Sequence, residues 1–268
     1  MTSSLNLLTG MRLAAVIAAI GIVWDTSELL VHRDTLSRFF EWPVVRSRYY
    51  ILLRHKTLAA LFDMVLTGRM FIALIVAHAV AAVAFAVLLP IGRPWVAVLA
   101  LLVLVGHCAI HLRLLVGMDG ADQMQSIIWA GLAVFALDLG PIANWAAAIF
   151  IVAELLLSYL VAGIAKLVSP AWRRGTAIAL ITRASTYSSP GVSAALRPRP
   201  VSAVIGWATI GFELLAPMLL FAGHPGLALF VAAGVAFHVG IAVTMGLTTF
   251  VFAFLAAYPV LCAVVLSI

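Results

Sequence analysis

Charged residues make up 10% of this chain, so an ionisable side chain inside an apolar run needs a reason. Lys166 has the most informative setting. It lies in the stretch YLVAGIAKLVSPAWRRG, residues 159–175, where an apolar helix meets a lysine, a Ser-Pro break and a Trp-Arg-Arg-Gly exit. Tyr159, Gly163 and Lys166 fall at i, i+4 and i+7, one stripe of one helix, and Gly163 lets a neighbouring helix or a flat ligand approach the backbone. A lysine at the end of a hydrophobic run can simply anchor at the interface. A desolvated amine can instead act as a base, because burial favours the uncharged form.

Other groups form smaller constellations. Asp25, Glu28 and His32 share a helical stripe that suits either a metal or proton path or plain solvation at a span's end. His107 and His111 stand four apart on one helix, a spacing that can hold a metal or haem iron but supplies only half a coordination sphere. They are weak metal candidates, and histidines buried in lipid also bond across helices. Asp119 and Asp122 sit in the turn Gly117-Met118-Asp119-Gly120-Ala121-Asp122-Gln123, where either can cap the following helix or line an aqueous pocket. Glu154 falls near mid-membrane and Glu213 four residues before Pro217, where a carboxylate needs a partner or a proton. His238 lies in an otherwise apolar helix. Cys108 and Cys262 form no Cys-x-x-Cys pair, so neither a redox nor a zinc motif is indicated.

The elements that must position these groups follow from composition. With 268 residues, 65% of them hydrophobic, and a mean hydropathy of +1.18, the chain has too much apolar surface for a water-soluble core. An integral, multi-pass protein of a cell membrane, such as a bacterial inner membrane, is expected. The alternating pattern of a transmembrane barrel is absent, which leaves helices as the way to satisfy the backbone in hydrocarbon. The expected fold is all-α, a bundle of about eight transmembrane helices over 7–31, 70–89, 95–116, 123–139, 142–168, 204–223, 227–245 and 247–267. An interfacial or shallow re-entrant helix is expected over 50–66, and 169–202 is expected to be a polar loop. The first span is too long for a cleaved signal peptide and is expected to be retained.

The net charge of +6 does not point to nucleic acid, because the basic residues sit in connecting segments that face anionic head groups. Loops one-two, three-four and five-six hold most of them, which predicts those loops on the cytoplasmic side and both termini outside. No internal repeat is evident, and residues 1–268 are expected to form a single transmembrane domain.

Several of these residues also carry a resemblance. The run Tyr159-Leu-Val-Ala-Gly163-Ile-Ala-Lys166-Leu, followed by Trp172-Arg-Arg-Gly175-Thr-Ala, resembles the signature of the horizontally transferred transmembrane (HTTM) domain, shared by vitamin K-dependent gamma-carboxylase and many bacterial membrane proteins. Met118-Asp-Gly-Ala-Asp122-Gln, Phe212-Glu213-Leu-Leu-Ala-Pro217 and His238-Val-Gly-Ile are similar too, in the family's order. Small quinone-linked membrane proteins of the DoxX type look somewhat similar, as does the membrane protein that matures a sporulation-delaying toxin. The resemblance implies that Lys166 takes the place of the base that deprotonates reduced vitamin K in the carboxylase. The family's asparagine-histidine pair is replaced here by Asp119-Gly120-Ala121-Asp122, and glutamate carboxylation of proteins is not expected.

Two classes of function follow. One is an enzyme or quinone-binding protein in which Lys166 transfers a proton within a pocket bounded by Tyr159, Asp122, Glu213 and His238, with a quinone such as menaquinone as the ligand. The other is a non-catalytic membrane subunit or an assembly or maturation factor, whose buried acids pair with Lys166 and Arg12 and whose small-residue faces dock other membrane subunits. A transporter ranks third, because repeats and broken helices are lacking.

Overall fold

The computed structural model describes residues 2–32, 54–114, 120–183 and 189–267. Most of the basic, aromatic connection after the first span, and with it residues 50–53 of the expected interfacial helix, lies outside the described residues. So does Asp119. The described residues include nine longer helices: α1 (Thr2–Val31), α2 (Lys56–Val65), α3 (Gly68–Leu88), α4 (Ala97–Leu114), α5 (Gly120–Ala136), α6 (Pro141–Val168), α7 (Arg199–Leu215), α8 (Gly223–Met245) and α9 (Thr248–Val265). No strand occurs among the described residues, so the all-α expectation holds.

The expected count of eight separate spans does not hold among the described residues. Six helical stretches are long and apolar enough to cross a bilayer: Asn6–Val31, Gly68–Ile91, Pro94–Leu114, Pro141–Val168, Arg199–Met245 and Thr248–Val265. The expected fourth span is not among them: α5 has 17 residues, at the short end of the lengths that cross a bilayer. The expected sixth and seventh spans are joined without a loop in one helical stretch of 47 residues. That stretch is not straight. Pro217 falls in a 3-10 segment, Ala216–Ala222, that ends at Gly223 with φ +66°. The Phe212 and Phe237 rings lie 5.0 Å apart, whereas an uninterrupted helix would separate residues that far apart in sequence by roughly 37 Å. Proline removes a backbone donor and Gly223 takes a positive φ that other residues avoid, so the helix turns back just after Pro217.

The chain is an integral, multi-pass membrane protein, and its surface fits that setting. On α6, Leu157, Leu160, Val161, Ile164 and Val168 are exposed while Ile151, Leu155 and Tyr159 are buried. Val204 is 70% and Phe221 87% exposed. Water would penalise such a surface, whereas lipid tails would not.

Two compact units are present, one of residues 1–10 and 148–268, the other of residues 11–147. In the first, α9 is buried around most of its circumference, from Ala253 to Val264. Gly10 meets it at the Pro259 carbonyl and Ala263, where a Cβ would have no room. The stretch expected as a polar loop, 169–202, is largely helical where described. Pro170 and Pro190 open two short helices, Pro170–Arg173 and Pro190–Leu196, at the position where a missing amide hydrogen costs nothing. A third, Ala177–Ile181, is tied down by the Ala179 amide, which donates to the buried Ser202 hydroxyl at 3.1 Å.

In the second unit, α3, α4 and α5 pack in sequence order. The amphipathic α2 confirms a helix where an interfacial one was expected: Ala59 and the following Leu66 are buried, and Leu58, Phe62 and Val65 pack with Phe71, Leu74 and Ala109. Arg113 donates to the Leu66 carbonyl at 3.1 Å, holding the end of α4 against the α2 exit. Arg12 was expected to pair with a buried acid. It donates instead to the Pro90 carbonyl at 3.3 Å.

Candidate functional site

The first unit gathers four of the expected residues. Tyr159 and Lys166 project from α6, two helical turns apart, and Gly163 lies between them. A Cβ on Gly163 would come within 2.9 Å of the Leu214 side chain and 3.1 Å of Glu213 Cβ, so this glycine lets α7 approach. The approach places Glu213 opposite Lys166. The Lys166 ammonium donates to both carboxylate oxygens, at 2.7 and 2.8 Å, and also lies 5.3 Å from the centre of the Trp172 ring. The Glu213 side chain is 4% exposed and that of Lys166 is 21% exposed. Buried charges persist when paired and fully hydrogen-bonded, and here the carboxylate's two oxygens share one donor group.

Two turns along α6, Tyr159 is the middle of a second hydrogen-bonded group. Its hydroxyl lies 2.9 Å from His238 Nε2 and 2.6 Å from the Tyr258 hydroxyl. Gly234, one turn before His238 on α8, leaves room for the Tyr258 hydroxyl that any side chain would fill. Aromatic rings enclose the group: Phe212, Phe230 and Phe254 pack around Tyr159 at 5.4–5.7 Å between ring centres. The His238 imidazole stacks on Phe254 at 4.1 Å. His238 Nδ1 is buried and makes no hydrogen bond with a described residue. Such orphans are rare in folded proteins, because a buried polar atom loses its water without replacement. Tyr258 and the phenylalanines were not anticipated. The available signal was Tyr258 itself, a hydroxyl beside Pro259 in an otherwise almost wholly apolar last helix.

Asp122, expected in the same pocket, belongs to the second unit, and there its partners are histidines. Its carboxylate lies 3.3 Å from His111 Nε2, and its backbone oxygen accepts from His107 Nε2 at 3.1 Å. Of the remaining candidates, Glu28 is exposed near the end of α1 and accepts from the Trp24 indole at 2.8 Å, which favours the structural reading of the Asp25–Glu28–His32 stripe. Glu154 is half-buried and forms no ion pair or hydrogen bond with a described residue. No family model, no curated protein and no solved structure matches the chain.

Proposed function

We propose that the first unit binds a flat, lipid-soluble ligand of quinone type and exchanges a proton with it at the Lys166–Glu213 pair. The observation that carries this reading is the unpaired, buried His238 Nδ1, at the end of a hydrogen-bonded chain two turns from that pair. A ligand carbonyl or hydroxyl would complete that nitrogen's bonding, and the stacked rings of His238, Phe254 and the half-buried Phe250 are an aromatic lining of the kind a flat ring packs against. The proton balance is simple. A hydroquinone hydroxyl gives up its proton to the pair, which becomes a lysine ammonium beside a carboxylic acid, and the resulting cation lies next to the ligand oxyanion. The same end state results whichever partner holds the shared proton beforehand. The resemblance to the HTTM domain, in which Lys166 matches the base, supports the assignment, as does the position of all four groups in membrane-crossing stretches of a protein whose ligand would arrive through lipid.

One observation favours a second reading, a non-catalytic subunit or maturation factor: Lys166 already occupies both oxygens of Glu213, as a structural bolt between α6 and α7 would. Protein in lipid nanodiscs separates the two. Menaquinone should quench tryptophan fluorescence, with the quenching much reduced in Trp172→Phe. Reduced menaquinone should be oxidised by oxygen faster with the protein than without it. In Lys166→Met/Glu213→Gln, which leaves neither charge unpaired, quenching should persist and the rate gain should vanish. No quenching in the wild-type protein refutes the quinone reading; quenching with an unchanged rate in the double variant refutes the proton-transfer role.

A further inference from the structure

The second unit holds a different chemistry, independent of the quinone reading. We propose that His107, His111 and Asp122 form a binding site for a divalent first-row transition-metal ion. His107 and His111 are one turn apart on α4, and α5 packs on α4 so that Asp122, in its first turn, meets them. One ring nitrogen of each histidine and one carboxylate oxygen all lie within 4.8 Å of one another. The His111 Nε2 to Asp122 Oδ1 distance is 3.3 Å, which is about the edge of a tetrahedron built on metal–ligand bonds of roughly 2.0 Å. The third ligand atom needs a side-chain adjustment on the order of 1 Å to close the set.

The surroundings are those of a site rather than of a chance cluster. His107 is held by the Asp122 backbone oxygen. Binding through Nδ1 would keep that hydrogen bond as the outer contact that orients a metal-bound imidazole, and binding through Nε2 would replace it. Next to it stands His78 of α3, 6% exposed, its ring 6.1 Å from that of His107 and its Nε2 without a hydrogen-bond partner. Gly106 makes this possible, since a Cβ there would press to 3.0 Å on the His78 ring. That His78 nitrogen, beside the cluster and unpaired among the described residues, would serve as a partner for water on the ion's open position. Two imidazoles and one carboxylate select ions of the zinc, iron(II) or cobalt(II) kind over magnesium and calcium, which prefer all-oxygen ligands. Cys108, adjacent in sequence, is exposed and outside the cluster. His111 and Asp122 keep 16% and 14% of their side-chain surface open near the end of α4, which gives an ion a way in.

The test uses the full chain in detergent, stripped with chelator and titrated with Co(II) alone. Saturable visible d–d absorption at one equivalent per chain is expected in the wild-type protein. His111→Gln and Asp122→Asn, which preserve size, should each weaken it at least about tenfold. Zn(II) should raise the thermal unfolding midpoint of the wild-type protein and not of the variants. Absence of the wild-type bands overturns the proposal whether or not the variants fold, and unchanged bands in folded variants overturn it equally, by placing the ion elsewhere.

Discussion

The Lys166–Glu213 contact makes a quantitative prediction about asymmetry. Replacing Lys166 by Met leaves a carboxylate with 4% side-chain exposure and no partner, which should cost about 3–5 kcal/mol. Replacing Glu213 by Met leaves an ammonium that is 21% exposed and close to Trp172. That cation can lean toward head groups and keeps its contact with the ring, so about 1–2 kcal/mol is expected. The double replacement removes both charges and fills the space with apolar atoms, and should cost at most about 1 kcal/mol. Subtracting the two single costs from the double gives a coupling of about −3 to −7 kcal/mol, well outside the additivity of independent sites. Unfolding in mixed micelles, titrated with dodecyl sulfate and followed by far-UV circular dichroism, measures all four corners of the cycle. Additive singles, with coupling below about 0.5 kcal/mol, would show that the ion pair is not formed in the folded protein. Equal single costs would refute the reasoning from unequal burial.

Two further outcomes are expected in the same assay. Tyr159→Phe strands both His238 Nε2 and the Tyr258 hydroxyl and should cost about 2–4 kcal/mol, whereas Tyr258→Phe spares the Tyr159–His238 bond and should cost about 1 kcal/mol; the reverse ranking would break the chain as described. Gly175 has φ +68° and abuts Ala203 so closely that an added Cβ would overlap it. Gly175→Ala should therefore lower stability by about 2–5 kcal/mol, from left-handed strain and overpacking together, and a midpoint equal to wild type would contradict the placement of the Trp-Arg-Arg-Gly exit.

Residue types and spacing were enough for the local properties of this chain. Apolar length dictates membrane-crossing helices, Pro217 favours a kink, and the i, i+4, i+7 stripe puts Tyr159, Gly163 and Lys166 on one face, because each depends only on backbone geometry and solvent preference. The helical nature of the described parts of 169–202 was hidden by their polar composition, since their support comes from distant contacts such as Ser202 with Ala179. The count of spans differed for a related reason: hydropathy marks apolar stretches but not how helices join, and residues 199–245 stay helical through a turn where a loop was expected.

Partnership is what only the tertiary structure decided. Nothing in the order of residues says that Lys166 meets Glu213, 47 positions on, that Tyr159 bridges His238 and Tyr258, or that Asp122 faces His107 and His111. Those pairings depend on which helix faces turn toward each other, and small side chains set that. Gly163, Gly234 and Gly106 leave the gaps into which Glu213, Tyr258 and His78 fit. A glycine's gap acquires meaning only once a neighbouring helix fills it.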